Sequence, residues 1–405
     1  MKSKKLFFSA VFLFLCSLGF STPLYSPAWG FSLDLPEGYT YTGGDGKDRF
    51  SFENPEGAKF DLIVYNAETG QGSEGRAAPY ASVEALAQDV QRRLNNSGDM
   101  DFFEYRRKKV FILELSFSIP GAGGRASPMG GWALCLELGY PNSGTGQAPA
   151  GALQTGPRPM LLAMAYGPAE KIDLYAYHFS ALDSIAPEIG DKLAPGPITE
   201  FSCPQITRTK AELFGLGIDA HFFAEDAEAA QALVDREFQL LTRYANASNW
   251  QEAWQRFYRA IYRDSFDRLA DAAFQIERKL NIPPREDREL AGQMLEWVQS
   301  FSYERDFMGS DFVNLVSAAT EGRGDCDSRA MLWATILRQA NIPSGIMVSR
   351  HYSHAMGLAE VPGPGARFEV DGQKFLVAET VAKVSIGLIG ETVSVTDYWM
   401  GIVFE

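Results

Sequence analysis

The chain has 405 residues, with 51 Asp and Glu against 37 Lys and Arg, a formal net charge of −14, 46% hydrophobic and 22% charged residues. This composition excludes a disordered chain and is long enough for two or three domains, each with its own core. The acidic balance excludes a nucleic-acid partner, because phosphate binding needs clustered Lys and Arg.

Lys2, Lys4 and Lys5 precede an apolar run from Leu6 to Phe20, and small residues stand at Gly19, Ser21, Ser26 and Ala28. This is the three-part layout of a secretory signal peptide, assigned to residues 1–28. The run, about 15 residues, is shorter than the ~20 that a spanning helix needs. Cleavage after Ser21 and cleavage after Ala28 both fit. Cys16 adds a lipid-anchored alternative, although Leu15 stands where a lipidation signal wants a small residue. The mature protein is therefore expected outside the cytoplasm, periplasmic or extracellular, touching the membrane only through an uncleaved or lipidated N-terminus. Once Cys16 leaves with the signal, Cys135, Cys203 and Cys326 remain in a compartment that permits disulfides. Cys135 and Cys203 either pair or are separately buried; on both readings Cys326 is the unpaired thiol.

Residues 29–195 read as one α/β unit. Alternating segments predict strands at Gly30–Leu35, Asp48–Glu53, Lys59–Tyr65, Lys109–Ile119, Trp132–Tyr140 and Met160–Tyr166. Helices are predicted at Ser82–Leu94, with a Ser cap and Val83, Leu86, Val90 and Leu94 on one face, and at Lys171–Ile185. Gly121–Gly131 and Pro141–Pro159 read as loops. His178 falls in the second helix and reads as structural. The opening "FSLDLPEGYTY", this element order and the closing "HFSALDSIAP" resemble the PsbP-like family. That resemblance implies an α/β/α domain with an antiparallel sheet, suited to packing, docking or holding a ligand rather than to chemistry.

A linker at Pro195–Pro204 opens a connector, residues 196–284, expected to be helical from about 208. Ala224–Tyr244 and Trp250–Leu280 are long amphipathic patterns. The stripe of Trp254, Phe257, Tyr258, Ile261, Leu269, Ala273, Ile276 and Leu280 is helix packing, not a cofactor box. Pro283 and Pro284 stop it, and Arg288–Phe301 starts another helix.

The chemistry concentrates in the last part, residues 285–405. Gly322 and Gly324 allow a tight turn, and an apolar helical period starts after Asp325: Ala330, Leu332, Ala334, Ile336, Leu337 and Ala340. Cys326 therefore falls at the first turn of a buried helix. The unpaired N–H groups there favour a thiolate and can hold an oxyanion. Asp325 and Asp327 read as helix caps, with the opposing effect that a nearby negative charge disfavours the thiolate. After Pro343 come a strand at Ser344–Ser349, a strand opening with His354, a turn at Pro362–Gly365, and strands Arg367–Val370 and Lys374–Val377 ending near Glu379. A helix-borne Cys, a His at a strand start and an acid at a strand end can form a nucleophile, base and orienter. His351 lies three residues from His354, so on one strand only one of them faces the thiol. No paired Cys-x-x-Cys or His-x-x-x-His spacing supports zinc, and no Asp-rich calcium loop is present, so no metal or cofactor is expected.

"GDCDSRAMLWATILRQANIP", "HAMGLAEV" and "LVAET" resemble the Cys, His and Asp boxes of the transglutaminase-like superfamily, in the same chain order. "LAGQMLEWVQSFSYERD" and "SDFVNLVSAATEGRGDC" resemble its lead-in helix and loop. The resemblance implies a papain/transglutaminase-like α+β domain with Cys326 as nucleophile, His354 as general base and Glu379 as orienting acid. Glu379 stands where the family usually has Asp, and Met356 where many relatives have Trp. Tyr303 is the oxyanion candidate beside the Cys326 backbone N–H. The implied activity is that of a cysteine peptidase or amidase acting on a peptide or protein substrate. The alternative is a catalytically degenerate scaffold that binds peptides or a partner of the cell envelope.

Overall fold

The computed structural model describes residues 23–65, 80–120, 126–139, 158–280, 286–304 and 310–405. Cys16, the expected cleavage point after Ser21, residues 121–125 and most of the Pro141–Pro159 loop lie outside these residues. Leu24–Tyr25 (β1) pairs with Ser32–Leu33 (β2), so the segment preceding Ala28 is part of the fold. No helix among the described residues is long and apolar enough to cross a membrane.

The first unit is a seven-stranded antiparallel sheet. Its strands are Thr40–Gly44 (β3), Arg49–Glu53 (β4), Lys59–Tyr65 (β5), Met100–Tyr105 (β6), Lys108–Pro120 (β7), Ala126–Glu137 (β8) and Met160–Pro168 (β9), in spatial order β3-β4-β5-β9-β8-β7-β6. The period-2 pattern of β5 explains the layering: Phe60, Leu62 and Val64 enter one core while Ile63 and Tyr65 line the other. Val83–Leu94 (α1), capped by the Ser82 hydroxyl, buries Val83, Leu86 and Val90 against Phe111, Leu113 and Cys135. Tyr175–Asp183 (α2) covers the opposite face with Ala181 and Leu182.

Several expectations change. Ala126–Gly131 is strand rather than loop, because β7 and β9 pair with it on both sides. The strands at 40–44 and 100–105, unpredicted from sequence, lie at the two sheet edges, the first with mostly exposed side chains and the second with half of them exposed, so little alternation marks them. Cys135 is fully buried and Cys203 partly so, both free, so they do not pair. His178 is buried in α2, and burial pushes its imidazole down to about 4.

The Pro195–Pro204 linker contains a short helix, Pro197–Ser202 (α3), tied back by the Thr199 hydroxyl donating to the Asp183 carboxylate at 2.7 Å. Next, Arg208–Leu213 (β10) and Ile218–Phe223 (β11) form a hairpin where helix was expected. The helices Asp226–Tyr244 (α4), Trp250–Arg268 (α5) and Ala270–Leu280 (α6) follow. The pattern expected as one helix from Trp250 breaks at Leu269, and most of its stripe is buried core.

A buried ionic network joins the sheet unit to this connector. Arg256 donates to Glu237 at 2.6 Å and to the Asp34 carbonyl at 2.9 Å, Arg259 binds the Asp34 carboxylate, and Arg236 reaches Asp183 at 2.6 Å. Glu37 lies in this region, buried, with Oε1 lacking a partner among the described residues. Burial pushes its carboxyl up to about 7, against the pull of Arg256. Because the folded value lies above the unfolded one, the cost is absent at acidic pH and grows as pH rises through about 7. Glu37→Gln is therefore expected to stabilise the protein by about 3 kcal/mol above neutrality and hardly at all near pH 4, as read from melting temperatures at both values.

The last unit contains Asp287–Gln299 (α7), Ser302–Tyr303 (β12), Leu315–Glu321 (α8), Arg323–Gly324 (β13), Cys326–Gln339 (α9) and a five-stranded antiparallel sheet. The sheet holds Ser344–Ser349 (β14), His354–Ala359 (β15), Arg367–Val370 (β16), Gln373–Ala378 (β17) and Met400–Val403 (β18), in order β16-β17-β15-β14-β18. Helix α9 lies on β14 and β15 with Ala330, Ala334 and Leu337 fully buried. The closest approach is Trp333, wholly buried, whose ring leaves no room at Gly357: an added Cβ would sit 2.5 Å from it. Gly357→Ala is expected to cost about 1–3 kcal/mol by overpacking, measured by urea denaturation.

Candidate functional site

Three elements converge on one point. Helix α8 ends at Gly322 in the left-handed conformation, φ 64°, and a Cβ there would strike the Phe214 ring. Three residues later Asp325 caps α9, its carboxylate accepting from the Ser328 N–H at 2.8 Å and hydroxyl at 2.6 Å. Cys326 is the first helical residue, buried with 7% exposure. The register of β15 brings the strand start to the helix start, where the Ala355 backbone amide favours the Cys326 thiolate.

His354, the residue before that amide, points its Nε2 at Glu379 Oε2, 2.8 Å away. Glu379 sits just past the end of β17, which pairs with β15 through Gly357 and Ala378. Its other oxygen accepts from the Val381 N–H at 2.8 Å. Burial alone would raise this carboxyl, yet the His354 hydrogen bond and charge, with the backbone N–H of Val381, hold it below its ordinary value. Glu379 is thus an anion aimed at the ring, and Nδ1 is the ring nitrogen not engaged by it. The longer glutamate side chain reaches the imidazole without distortion of the strand pairing.

His351 takes no part in this arrangement. It is exposed and stacks on Tyr398, ring centroids 4.1 Å apart. Tyr303 lies at the rim: β12 runs parallel to β13, pairing Tyr303 with Gly324, and the ring is half-exposed beneath the Arg329 guanidinium at 5.6 Å.

The electrostatics of the thiol differ from the expectation for a helix start. Burial, then the charges of Asp327 and Asp325, push the Cys326 thiol up and outweigh the Ala355 amide. Asp325, Cys326 and Asp327 place ligand-type atoms within 4.8 Å of one another. Each has a protein partner: Asp325 caps the helix, while Asp327 accepts from Tyr258 at 2.9 Å and from the thiol at 3.6 Å.

Three supporting residues escaped the sequence reading. Arg329, one turn after Cys326 and 2% exposed, donates to the Gly324 carbonyl at 3.0 Å and the Phe301 carbonyl at 2.9 Å. Its signal was a charged residue inside an apolar period. Arg329→Met removes the side-chain donor of the Phe301 carbonyl and the shorter of two hydrogen bonds to the Gly324 carbonyl, and is expected to cost about 2–4 kcal/mol, measured by chemical denaturation. Gln299, at the end of α7, bridges the carbonyls of Glu379 at 2.8 Å and Val384 at 2.9 Å, fixing the strand exit that carries the acid. Tyr258 of α5 was read as packing alone, and its hydroxyl function is invisible in an aromatic stripe.

No family model and no curated protein matches the sequence. Among solved structures, the chain is similar to cyanobacterial PsbP (CyanoP) from Synechocystis, at 8% identity over 42% of this chain and 95% of that one, TM-score 0.27. It is also similar to a protein from Bacteroides thetaiotaomicron, at 10% identity over 60% of this chain and 75% of that one, TM-score 0.19. Both TM-scores fall under 0.5, so the functional reading rests on the geometry of the site.

Proposed function

We propose that this chain is an exported transglutaminase-like cysteine hydrolase, a peptidase or amidase acting through an acyl-thioester. Its site is Cys326, His354 and Glu379 in a papain/transglutaminase-like α+β domain. The observation that supports this reading is the 2.8 Å His354–Glu379 hydrogen bond, with Cys326 at the start of α9 and the residue after His354 supplying the backbone amide that favours its thiolate. His354 Nδ1 takes the thiol proton as Sγ attacks a carboxamide carbon, and Glu379 stabilises the imidazolium. The first-turn N–H groups of α9, with Tyr303 at the rim, receive the oxyanion. The imidazolium returns its proton to the departing amine or ammonia. Water, deprotonated by the same ring, then cleaves the thioester. Because the thiol is held protonated at rest, proton removal accompanies attack rather than preceding it. The sheet unit, PsbP-like in outline, serves as the docking or ligand-holding part.

A second reading is a scaffold that binds peptides without turnover, and the burial of Cys326 beside two aspartates favours it. A panel of peptide and carboxamide donors, followed by ammonia or amine release, separates the two. Release by the wild type and none by Cys326→Ala supports the hydrolase. Equal peptide binding by both proteins with no release from either gives the scaffold.

A further inference from the structure

Residue Asp327 is not one of the three proposed catalytic positions, yet it touches the thiol. One oxygen accepts from the Cys326 thiol at 3.6 Å and the other from the Tyr258 hydroxyl at 2.9 Å. Tyr258 belongs to α5 of the connector, is 2% exposed, and reaches the site across the packed face between α5 and α9. The same carboxylate feels His354 from β15. A carboxylate touching a thiol opposes its ionisation, and a neutral partner at that oxygen would not.

We propose that Asp327, held in place by Tyr258, is a proton-retaining lock: it keeps Cys326 as a thiol until substrate arrives, and thereby couples the connector helix to the active site. The proposal rests on the hydrolase reading for its biological meaning, but its physical content concerns the thiol alone. The thiol proton stays on sulfur, shared with Asp327 Oδ1, in the resting protein. On attack it passes to His354 Nδ1, leaving a thiolate and an imidazolium, with no other species consumed. The other groups facing the pair are accounted for. Burial and the charge of Asp327 push the Asp325 carboxyl up to about 7, while the Ser328 hydrogen bonds favour its anion. Burial and Asp311 push the Asp327 carboxyl up, while Tyr258, the thiol and His354 favour its anion. As anions both oppose the thiolate. Arg329 sits near Asp325, Cys326 and Glu379 with its guanidinium committed to two carbonyls. The Ala355 amide favours the thiolate. Asp327 is the acid that accepts the thiol hydrogen bond and the largest of the charges opposing the thiolate, so its removal should dominate.

The test is the pH dependence of Cys326 alkylation by iodoacetamide in the full chain, read by mass spectrometry. Asp327→Asn should move the midpoint to lower pH and speed alkylation about tenfold near neutrality. Asp327→Glu should restore slow alkylation. Tyr258→Phe should move the midpoint the same way by less, since Asp327 loses the bond that holds it as an anion. A merely loosened site would speed alkylation at every pH without moving the midpoint. An unmoved midpoint, or one displaced to higher pH in Asp327→Asn, overturns the lock; displacement upward would make Asp327 the base. If Asp327→Asn does not fold, Tyr258→Phe decides. Combining Asp327→Asn with His354→Ala separates the two claims. A midpoint that still falls upholds the lock, whereas acyl transfer unaffected by His354→Ala would sink only the hydrolase.

Discussion

His354→Ala is expected to slow acylation of Cys326 by p-nitrophenyl acetate about 10²–10⁴-fold near neutral pH, the range for loss of a positioned general base. Added imidazole should restore part of the rate. The size follows from the thiol's surroundings. Burial and the aspartates push Cys326 up, so few molecules carry a thiolate at rest and nearly all flux depends on proton transfer to the ring. Glu379→Gln should give a smaller defect, because the ring keeps its place while its imidazolium loses an anionic partner. A His354→Ala rate equal to the wild type would show that the ring does not serve this thiol.

The largest stability effect is expected at Arg256. Its side chain is 4% exposed and Glu237, its partner, 1%. Arg256→Met strands Glu237 with Arg236 as its remaining cation, and removing one member of a buried pair costs about 3–5 kcal/mol. The urea midpoint followed by tryptophan fluorescence should fall accordingly. The loss should also depend on pH. Burial opposes the Glu237 carboxylate, but Arg256 and Arg236 hold it below its ordinary value. A depressed folded value stabilises above the unfolded one and is lost as pH falls, so the gap between wild type and variant should narrow in acid. Since Arg256 also donates to the Asp34 carbonyl, the same variant should loosen the sheet unit from the connector.

Much of the site was legible because its signals are local. A glycine turn, an aspartate cap and a helical apolar period meet at Cys326, and backbone geometry follows from them. The order of cysteine, histidine and acid along the chain was equally plain. The 2.8 Å pairing of His354 with Glu379 depends on strand register, which spacing alone does not encode. The direction of the thiol's shift was legible only in part. The helix-start argument favours a thiolate, and the counter-effect of flanking aspartates was visible, but the burial that tips the balance comes from distant elements. Tyr258 shows the same limit: its hydroxyl lies 2.9 Å from Asp327, a contact between residues that spacing does not relate.

In the fold, the central strands were readable and the edge strands were not, since an edge strand with half or more of its side chains exposed shows little alternation. The β10–β11 hairpin did carry a signal. Gly215 and Gly217, both at positive φ, form its turn, and the amphipathic helices that follow drew the reading past them. The break at Leu269 left no trace because the apolar spacing continues across it.

The most direct test of the account is whether Cys326 carries an acyl group during reaction. The wild-type chain would be mixed with an activated acyl donor, quenched in acid, digested and sequenced by mass spectrometry. The account predicts a thioester on Cys326 and on neither Cys135 nor Cys203, formed much more slowly in His354→Ala. An unmodified Cys326 beside a hydrolysed donor, or a thioester forming equally fast without His354, would contradict it.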